Sequence, residues 1–328
     1  MRDRIDYQII VTLGPSSSTP EDWLNLYSAG ATAFRLNTSH LTVDELSGWL
    51  ERYSIFQADQ GKSIPLVLDL QGSKWRLGLF QSQELKPQSE IELVLADQTQ
   101  SPGQLPVPHP DFFHAAEFSS SQIVLSDARI RLKTIKASSE VIRAEVIQGG
   151  KISSRKGITY AVSSYRTERL NIKDHQIIEQ TRRIPYIRFA FSYVKDAQEM
   201  AKYKELVEPP GYLIAKLERQ PAIDQASMIA DYADELWLCR GDLGAELGLR
   251  AMAEAVHSLS QQVRKIRTPV ILAGQVLEHL TSNPLPTRSE VCHLYEMLAS
   301  GYQGVVLSDE TAIGKHPLES VQAAAMFR

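Results

Sequence analysis

Residues 212–218 read YLIAKLE, a short apolar run that ends on two charges two residues apart, Lys216 and Glu218. Side chains at i and i+2 of a strand share a face, so these two point the same way. A run this short and this apolar fits a strand covered on both sides, as in a parallel sheet. Seven more runs have the same form: QIIVTLG (8–14), ATAFRLN (31–37), PLVLDLQ (65–71), YIRFAFSY (186–193), LWLCRGD (236–242), PVILAGQ (269–275) and GVVLSDE (304–310). Most of the segments between them carry helix signals. Thr19 followed by Pro20, Glu21 and Asp22 starts a helix that Gly30 is placed to end. Thr42 with Glu45, and Thr287 with Glu290, have the spacing of a capping box. Eight strands alternating with helices predict an α/β protein, a (β/α)8 TIM barrel.

Each run ends in polar residues: Thr12, Arg35 with Asn37, Asp69, Ser192, Lys216 with Glu218, Arg240 with Asp242, Gln275, and Ser308 with Glu310. Barrel active sites form at the C-terminal ends of the strands, so this set marks the expected catalytic face. Residues 72–185 separate the third and fourth runs, far beyond a normal βα connection. Within them EIELVL (90–95), SQIVL (121–125), IRLKTI (130–135) and VIRAEVI (141–147) alternate as strands do. The expected organisation is a catalytic barrel from 1–73 and 166–328, with 74–165 forming a small β-barrel lid domain inserted after the third strand.

The 328 residues are 43% hydrophobic and 23% charged, an ordinary globular balance, and the formal charge is −4. That charge gives no reason to expect nucleic acid or an anionic membrane as partner, so an anionic substrate needs a local cluster of cations. Cys239 and Cys292 indicate neither a zinc site nor a disulfide framework, and Cys239 sits in an apolar run as a buried thiol would. The charged start, MRDRIDYQ, has no apolar core, and no apolar stretch approaches the ~18 residues of a membrane span. A cytoplasmic protein is the expectation.

Glu218 and Asp242 end adjacent runs, so their carboxylates can converge on one hard cation. Oxygen-only ligands suit Mg²⁺ or Mn²⁺; the alternative is a structural pair of carboxylates bridged to Lys216 and Arg35. A lysine inside the barrel must be paired with anions. His109 and His114, in HPDFFH (109–114), lack metal-ligand spacing and are read as surface or loop residues.

Nine motifs then carry a family resemblance, in one order along the chain. They are VTLGPSS (11–17), FRLNTSH (34–40), LDLQGSKWRLG (68–78), SDARIRL (126–132) and GGKISSRKGI (149–158). AKLERQPAI (215–223), CRGDLGAELG (239–248), ILAGQVLEHLTSNPLPTRSEV (271–291) and LSDETAIGKHPLESV (307–321) complete the series. The sequence resembles the pyruvate kinases. The resemblance implies that Glu218 and Asp242 hold Mg²⁺ or Mn²⁺, that Lys216 stabilises the phosphoryl group and the enolate, and that Arg35 binds phosphate. It places Ser192, Arg240, Gly241, Asp242 and Gly274 at the substrate, with backbone N–H groups of DLGAELG holding its carboxylate. His40, Arg76, Arg155 and Lys156 match positions that face ADP or ATP phosphates, and Asp127 matches a lid aspartate that reaches the site on closure.

Several positions depart from the family pattern. Gly274 stands where the family has a substrate-contacting threonine, which removes a hydroxyl and leaves space for a bulkier substrate or slows protonation of the enolate. Gln71, Ser73, Ala128 and Asp309 are further departures. Lys74 replaces a glutamate of K⁺-dependent members, whose K⁺ ligands match Asn37, Ser39, Asp69 and the carbonyl of Leu70. Members with that lysine work without K⁺, and the same is expected here. The family's C-terminal regulatory domain has no counterpart in the chain, so effector control of that kind is not expected. The expected activity is phosphoryl transfer between phosphoenolpyruvate, or a related enol phosphate, and ADP. The alternatives are a metal-dependent lyase, aldolase or decarboxylase acting on a 2-oxo acid enolate, and a catalytically silent relative. The partners expected are small molecules, with a homodimer through the barrel as the assembly left open.

Overall fold

The computed structural model describes residues 5–61, 63–126, 129–161 and 170–328. Contacts divide the chain into two units. The first is Met1–Gly72 with Leu170–Arg240 and Ala255–Arg328, and the second is Ser73–Arg169 with Gly241–Glu254. Residues 241–254 thus group with the inserted segment, whereas the sequence expectation left them in the barrel.

The first unit is a closed barrel of parallel strands. Its strands are β1 (Gln8–Thr12), β2 (Ala33–Asn37), β3 (Leu66–Leu70), β4 (Ile187–Phe191), β5 (Tyr212–Leu217), β6 (Glu235–Cys239), β7 (Val270–Ala273) and β8 (Gly304–Leu307). Each pairs with the next in sequence, and β8 closes on β1 with Gln8 opposite Gly304. Seven fall inside the apolar runs of the sequence, and β6 starts one residue before its run, at Glu235. Alternate residues fill the interior: Ile10, Ala33, Val67, Ala190, Ile214, Trp237, Ile271, Ala273 and Val306 form one buried cluster. One step toward the strands' N-terminal ends, Glu235 is fully buried and accepts hydrogen bonds from Gln8 Nε2 (3.0 Å), Tyr212 OH (3.1 Å) and Trp237 Nε1. That end of the barrel is therefore closed by satisfied polar groups. One step the other way lie Thr12, Arg35, Asp69 and Lys216.

The helix starts follow the expected signals. Helices Pro20–Ala29, Val43–Gln60 and Arg288–Ser300 open with capping boxes on Thr19, Thr42 and Thr287, and Gly30 caps the first at φ 127°. Trp23, Tyr53 and Phe56 pack their rings at centroid distances of 5.5–5.8 Å, and Phe34 of β2 meets the last two at 6.1 and 6.2 Å. Each such buried aromatic is worth about 1.5–3 kcal/mol of transfer energy, which fastens the first two helices to the barrel wall.

The second unit holds a six-stranded sheet in the order Ile158–Tyr160, Gln122–Leu125, Ile130–Ala137, Val141–Gln148, Glu90–Val94, Gln104–Pro106. Gly150–Ile152 and Gln83–Leu85 form a separate pair. Its core gathers Trp75, Leu93, Phe112, Ile123, Leu132, Ala144 and Tyr160, with Tyr160 stacked on Phe112 at 4.7 Å. Among the described residues no helix is long and apolar enough to cross a membrane.

Candidate active site

Five neighbouring barrel strands deliver one connected polar cluster at their C-terminal ends. Thr12 lies opposite Arg35 in the β1–β2 register, and Arg35 NH1 donates to Thr12 Oγ1 at 2.8 Å. The same guanidinium grips Asp69 Oδ2 through Nε (2.7 Å) and NH2 (2.6 Å). Lys216 Nζ sits 3.0 Å from Asp69 Oδ1, 2.8 Å from Ser192 Oγ and 3.0 Å from Glu218 Oε1. The other oxygen of Glu218 accepts the backbone N–H of Tyr193 at 2.7 Å. Ser192 Oγ reaches the Leu70 carbonyl at 2.6 Å. Lys216, Asp69, Ser192 and Glu218 are all buried, and Arg35 is half-buried.

Two cations and two carboxylates share this small volume, so its formal charge is zero. Burial alone pushes the Asp69 carboxyl up, but Lys216 and then Arg35 outweigh it and hold the group below its ordinary value. Burial depresses the Lys216 ammonium, and Asp69 and Glu218 overcome that and raise it. Both shifts favour the ionised forms. A fixed ammonium and a guanidinium, held on carboxylates at strand ends, are suited to anionic oxygens arriving from outside.

The loop after β3 is tied to this cluster. Asp174 accepts the backbone N–H groups of Gln71 (3.2 Å) and Gly72 (2.9 Å), and burial pushes its carboxyl up to about 6 against those two bonds. Gly72 has φ 63°, and a Cβ there would lie 2.2 Å from the Ser192 carbonyl oxygen. A Gly72→Ala substitution is therefore expected to cost at least the ~1–3 kcal/mol of a strained left-handed residue and to displace Ser192 from Lys216. Thermal unfolding of the purified variant measures the loss, and an unchanged melting temperature would refute the close approach.

The monovalent-site candidates of this unit also gather. Asn37 and Asp69 are register partners in β2–β3, Asn37 Oδ1 accepts the Ser39 N–H at 3.2 Å, and Thr38 Oγ1 donates to the Asp69 carbonyl at 2.8 Å. His40 is exposed at the end of the short helix Thr38–His40. Arg240 directs its guanidinium at the carbonyls of Gly274 and Gln275, and Gly274 adopts φ 86°. Glycine takes this φ without the strain a Cβ would add.

In the second unit Lys74 forms an ion pair with Asp242. Arg76 pairs as an antiparallel bridge with Gly157, and its NH1 donates to the Arg155 carbonyl at 3.0 Å. Arg76 and Arg155 are therefore neighbours, Arg155 has φ 63°, and Lys156 beside it is exposed. His109 lies in the loop before the helix Pro110–Ala115, where it is half-buried and its Nε2 accepts the Arg76 N–H at 3.1 Å. His114 is exposed, as expected. Asp127 lies outside the described residues.

Among the described residues no three His, Cys, Asp or Glu side chains group as a protein-only metal site. Glu218 in the first unit and Asp242 in the second each carry hard carboxylate oxygens, the donor type of Mg²⁺ and Mn²⁺, ions that take much of their coordination from water and substrate. A Cβ at Gly241 would meet no protein atom within 4 Å, so backbone there is open to a ligand.

Comparison with known proteins places this geometry. Residues 5–321 match the family model described as the pyruvate kinase barrel domain. The pyruvate kinase of Agrobacterium vitis is 32% identical over 319 residues, covering 96% of this chain and 67% of that protein. That of Methylorubrum extorquens is also 32% identical, covering 96% and 66%. The chain thus spans about two thirds of the length of these relatives. The crystal structure of a pyruvate kinase from Cryptosporidium parvum superposes with a TM-score of 0.82 at 21% identity, covering 98% of this chain and 68% of that one. With the matching barrel, strand-end cluster and family model together, the chain belongs to the pyruvate kinase family of phosphotransferase enzymes.

Proposed function

We propose that the protein transfers the phosphoryl group of phosphoenolpyruvate to ADP, giving pyruvate and ATP, with a divalent metal and without K⁺. The observation that carries this is the buried Lys216 ammonium, fixed 2.8–3.0 Å from three oxygens beside the Arg35–Asp69 pair. In the forward direction the bond from phosphorus to the enol oxygen breaks. A terminal oxygen of ADP forms the new bond to phosphorus, and the enolate takes one proton at its methylene carbon. Arg35 binds the phosphoryl oxygens, and Lys216 meets the charge that grows on the phosphoryl group and enol oxygen. Ser192 and Asp69 hold Lys216 in place for this. Glu218 and Asp242 would hold Mg²⁺ or Mn²⁺, which supplies Lewis-acid polarisation when bound. The open backbone at Gly241 suits the substrate carboxylate. His40, Arg76, Arg155 and Lys156 are assigned to the nucleotide phosphates, and Asp127 to the closed lid. The partners are these small molecules, with a homodimer as the assembly to test. Free cysteines, one buried and one exposed, suit a reducing compartment such as the cytoplasm.

The lyase alternative drew on space at Gly274, and the left-handed φ there gives that glycine a backbone reason instead. Phosphoryl transfer is therefore favoured. K⁺ independence rests on Lys74, a cation where K⁺-dependent relatives carry an anion. Pyruvate formation from phosphoenolpyruvate and ADP is expected to need Mg²⁺ or Mn²⁺, to stop on chelation, and to be indifferent to replacing K⁺ by tetramethylammonium. Lys74→Glu is expected to create a K⁺ requirement, and strong K⁺ activation of the unmodified enzyme would contradict the assignment.

A further inference from the structure

The loop that follows β7 is gripped from both neighbouring strands. From the end of β6, Arg240 donates through Nε (3.0 Å) and NH2 (2.7 Å) to the Gly274 carbonyl, and through NH2 to the Gln275 carbonyl at 2.9 Å. Beyond the end of β8, the fully buried Glu310 accepts the Leu277 N–H at 3.1 Å and the Ser308 N–H at 2.7 Å. A cation thus holds the loop's carbonyls while a carboxylate holds its amide, each with the sign its backbone partner wants. Between the two grips the chain is left-handed twice in succession, at Gly274 (φ 86°) and Gln275 (φ 51°). Such a conformation persists only where surrounding contacts over-determine it. The remaining guanidinium nitrogen, NH1, lies 2.7 Å from His293 Nε2 in the helix Arg288–Ser300. Guanidinium has no acceptor, so Nε2 must be the bare nitrogen of a neutral ring. Burial, and then the Arg240 charge, lower the His293 pKa and keep it so.

We propose that Arg240, Glu310 and His293 are positioning residues that lock the loop 274–277 in a left-handed turn, which glycine at 274 adopts without the strain a Cβ would add. The hydrogen bonds that Arg240 donates go to loop backbone and to His293, so Arg240 acts on the substrate through the loop. His293 sets the guanidinium plane by accepting from the edge that does not face the loop. A threonine at 274, as the wider family has, carries a Cβ that this turn disfavours.

The kinetic arm of the test rests on the proposed phosphoryl transfer, and the structural arm does not. Amide hydrogen exchange read on the peptide covering 274–277 tests the lock in the full-length protein. Arg240→Lys, which keeps the charge but loses the fork, and His293→Leu, which loses the acceptor, are each expected to speed exchange there by about tenfold or more, as released local structure does. Exchange in β1–β5 should be unchanged. His293→Gln keeps an acceptor and should restore slow exchange. With phosphoenolpyruvate, Arg240→Lys is expected to lower kcat by about tenfold to a hundredfold with little change in KM, the signature of misplacement rather than lost binding. Gly274→Thr is expected to lower the melting temperature by about 5 °C and not to raise kcat. Unchanged exchange in Arg240→Lys would overturn the lock. So would a raised KM at constant kcat, which makes Arg240 a direct substrate ligand, or a Gly274→Thr variant that is both stable and faster. If the unmodified protein transfers no phosphoryl group, the proposed function fails and the exchange result still decides the lock.

Discussion

Replacing Lys216 by methionine is expected to reduce phosphoryl transfer by on the order of 10³-fold, because one fixed donor at a developing oxyanion is worth about that much. The substitution keeps most of the side chain's length and removes the ammonium with its charge and its hydrogen bonds. Its structural consequence follows from the same three contacts. Asp69 and Glu218 are 2% and 1% exposed, and each loses a cation held 3.0 Å away. Breaking a buried pair from one side leaves uncompensated charge and costs about 3–5 kcal/mol. The cluster would respond by binding a proton. Carboxyl-selective ¹³C spectra should show that titration moving upward in the variant. A variant that retains turnover would remove Lys216 from the mechanism, whatever its effect on folding.

Asp69→Ala is the second large effect. Asp69 joins Arg35 on Oδ2 to Lys216 on Oδ1, so its loss sets two cations side by side with only Glu218 to offset them. A cost of about 3–5 kcal/mol is expected, which for a barrel of this size lowers the melting temperature by on the order of 10 °C. Turnover should fall as well, since Arg35 and Lys216 both lose the group that aims them. The pH dependence carries the sign of the linkage. Asp69 is held below its ordinary pKa, so its contribution is present above the unfolded value of about 3.9 and is lost as pH falls through the lower folded value. Asp69→Asn should therefore flatten the acid limb of the stability curve. An acid limb identical in Asp69→Asn and the unmodified protein would contradict the pairing.

The parts of this cluster that sequence exposes are those written in residue types. Arg35, Asp69, Lys216 and Glu218 end apolar runs whose period places them on the inner face, and their convergence follows once the runs close into a barrel. The capping boxes at Thr19, Thr42 and Thr287 are equally local. Interactions with backbone leave no such mark. Carbonyl oxygens are the same at every residue, so nothing in CRGDLG says that Arg240 will grip Gly274 and Gln275. A glycine written in place of threonine does not announce a φ of 86°. His293 could have been suspected only from its helix, whose starting signal at Thr287 was legible, and not from its partner. In the second unit, Gln83–Leu85, Gln104–Pro106, Gly150–Ile152 and Ile158–Tyr160 are three residues long, too short to show alternation. Gln104–Pro106 and Ile158–Tyr160 join the edges of longer strands, while Gln83–Leu85 and Gly150–Ile152 pair only with each other. The partial burial of His109 was hidden for the same reason, since its partner is the Arg76 amide.

The most direct test of the central claim is a ³¹P NMR time course of phosphoenolpyruvate and ADP with Mg²⁺ and a catalytic amount of the protein, free of K⁺. The barrel-end cluster predicts that the enol phosphate signal decays while the γ-phosphate signal of ATP grows at the same rate. Loss of phosphoenolpyruvate with no ATP formed, or no loss at all under conditions where it binds, would contradict it.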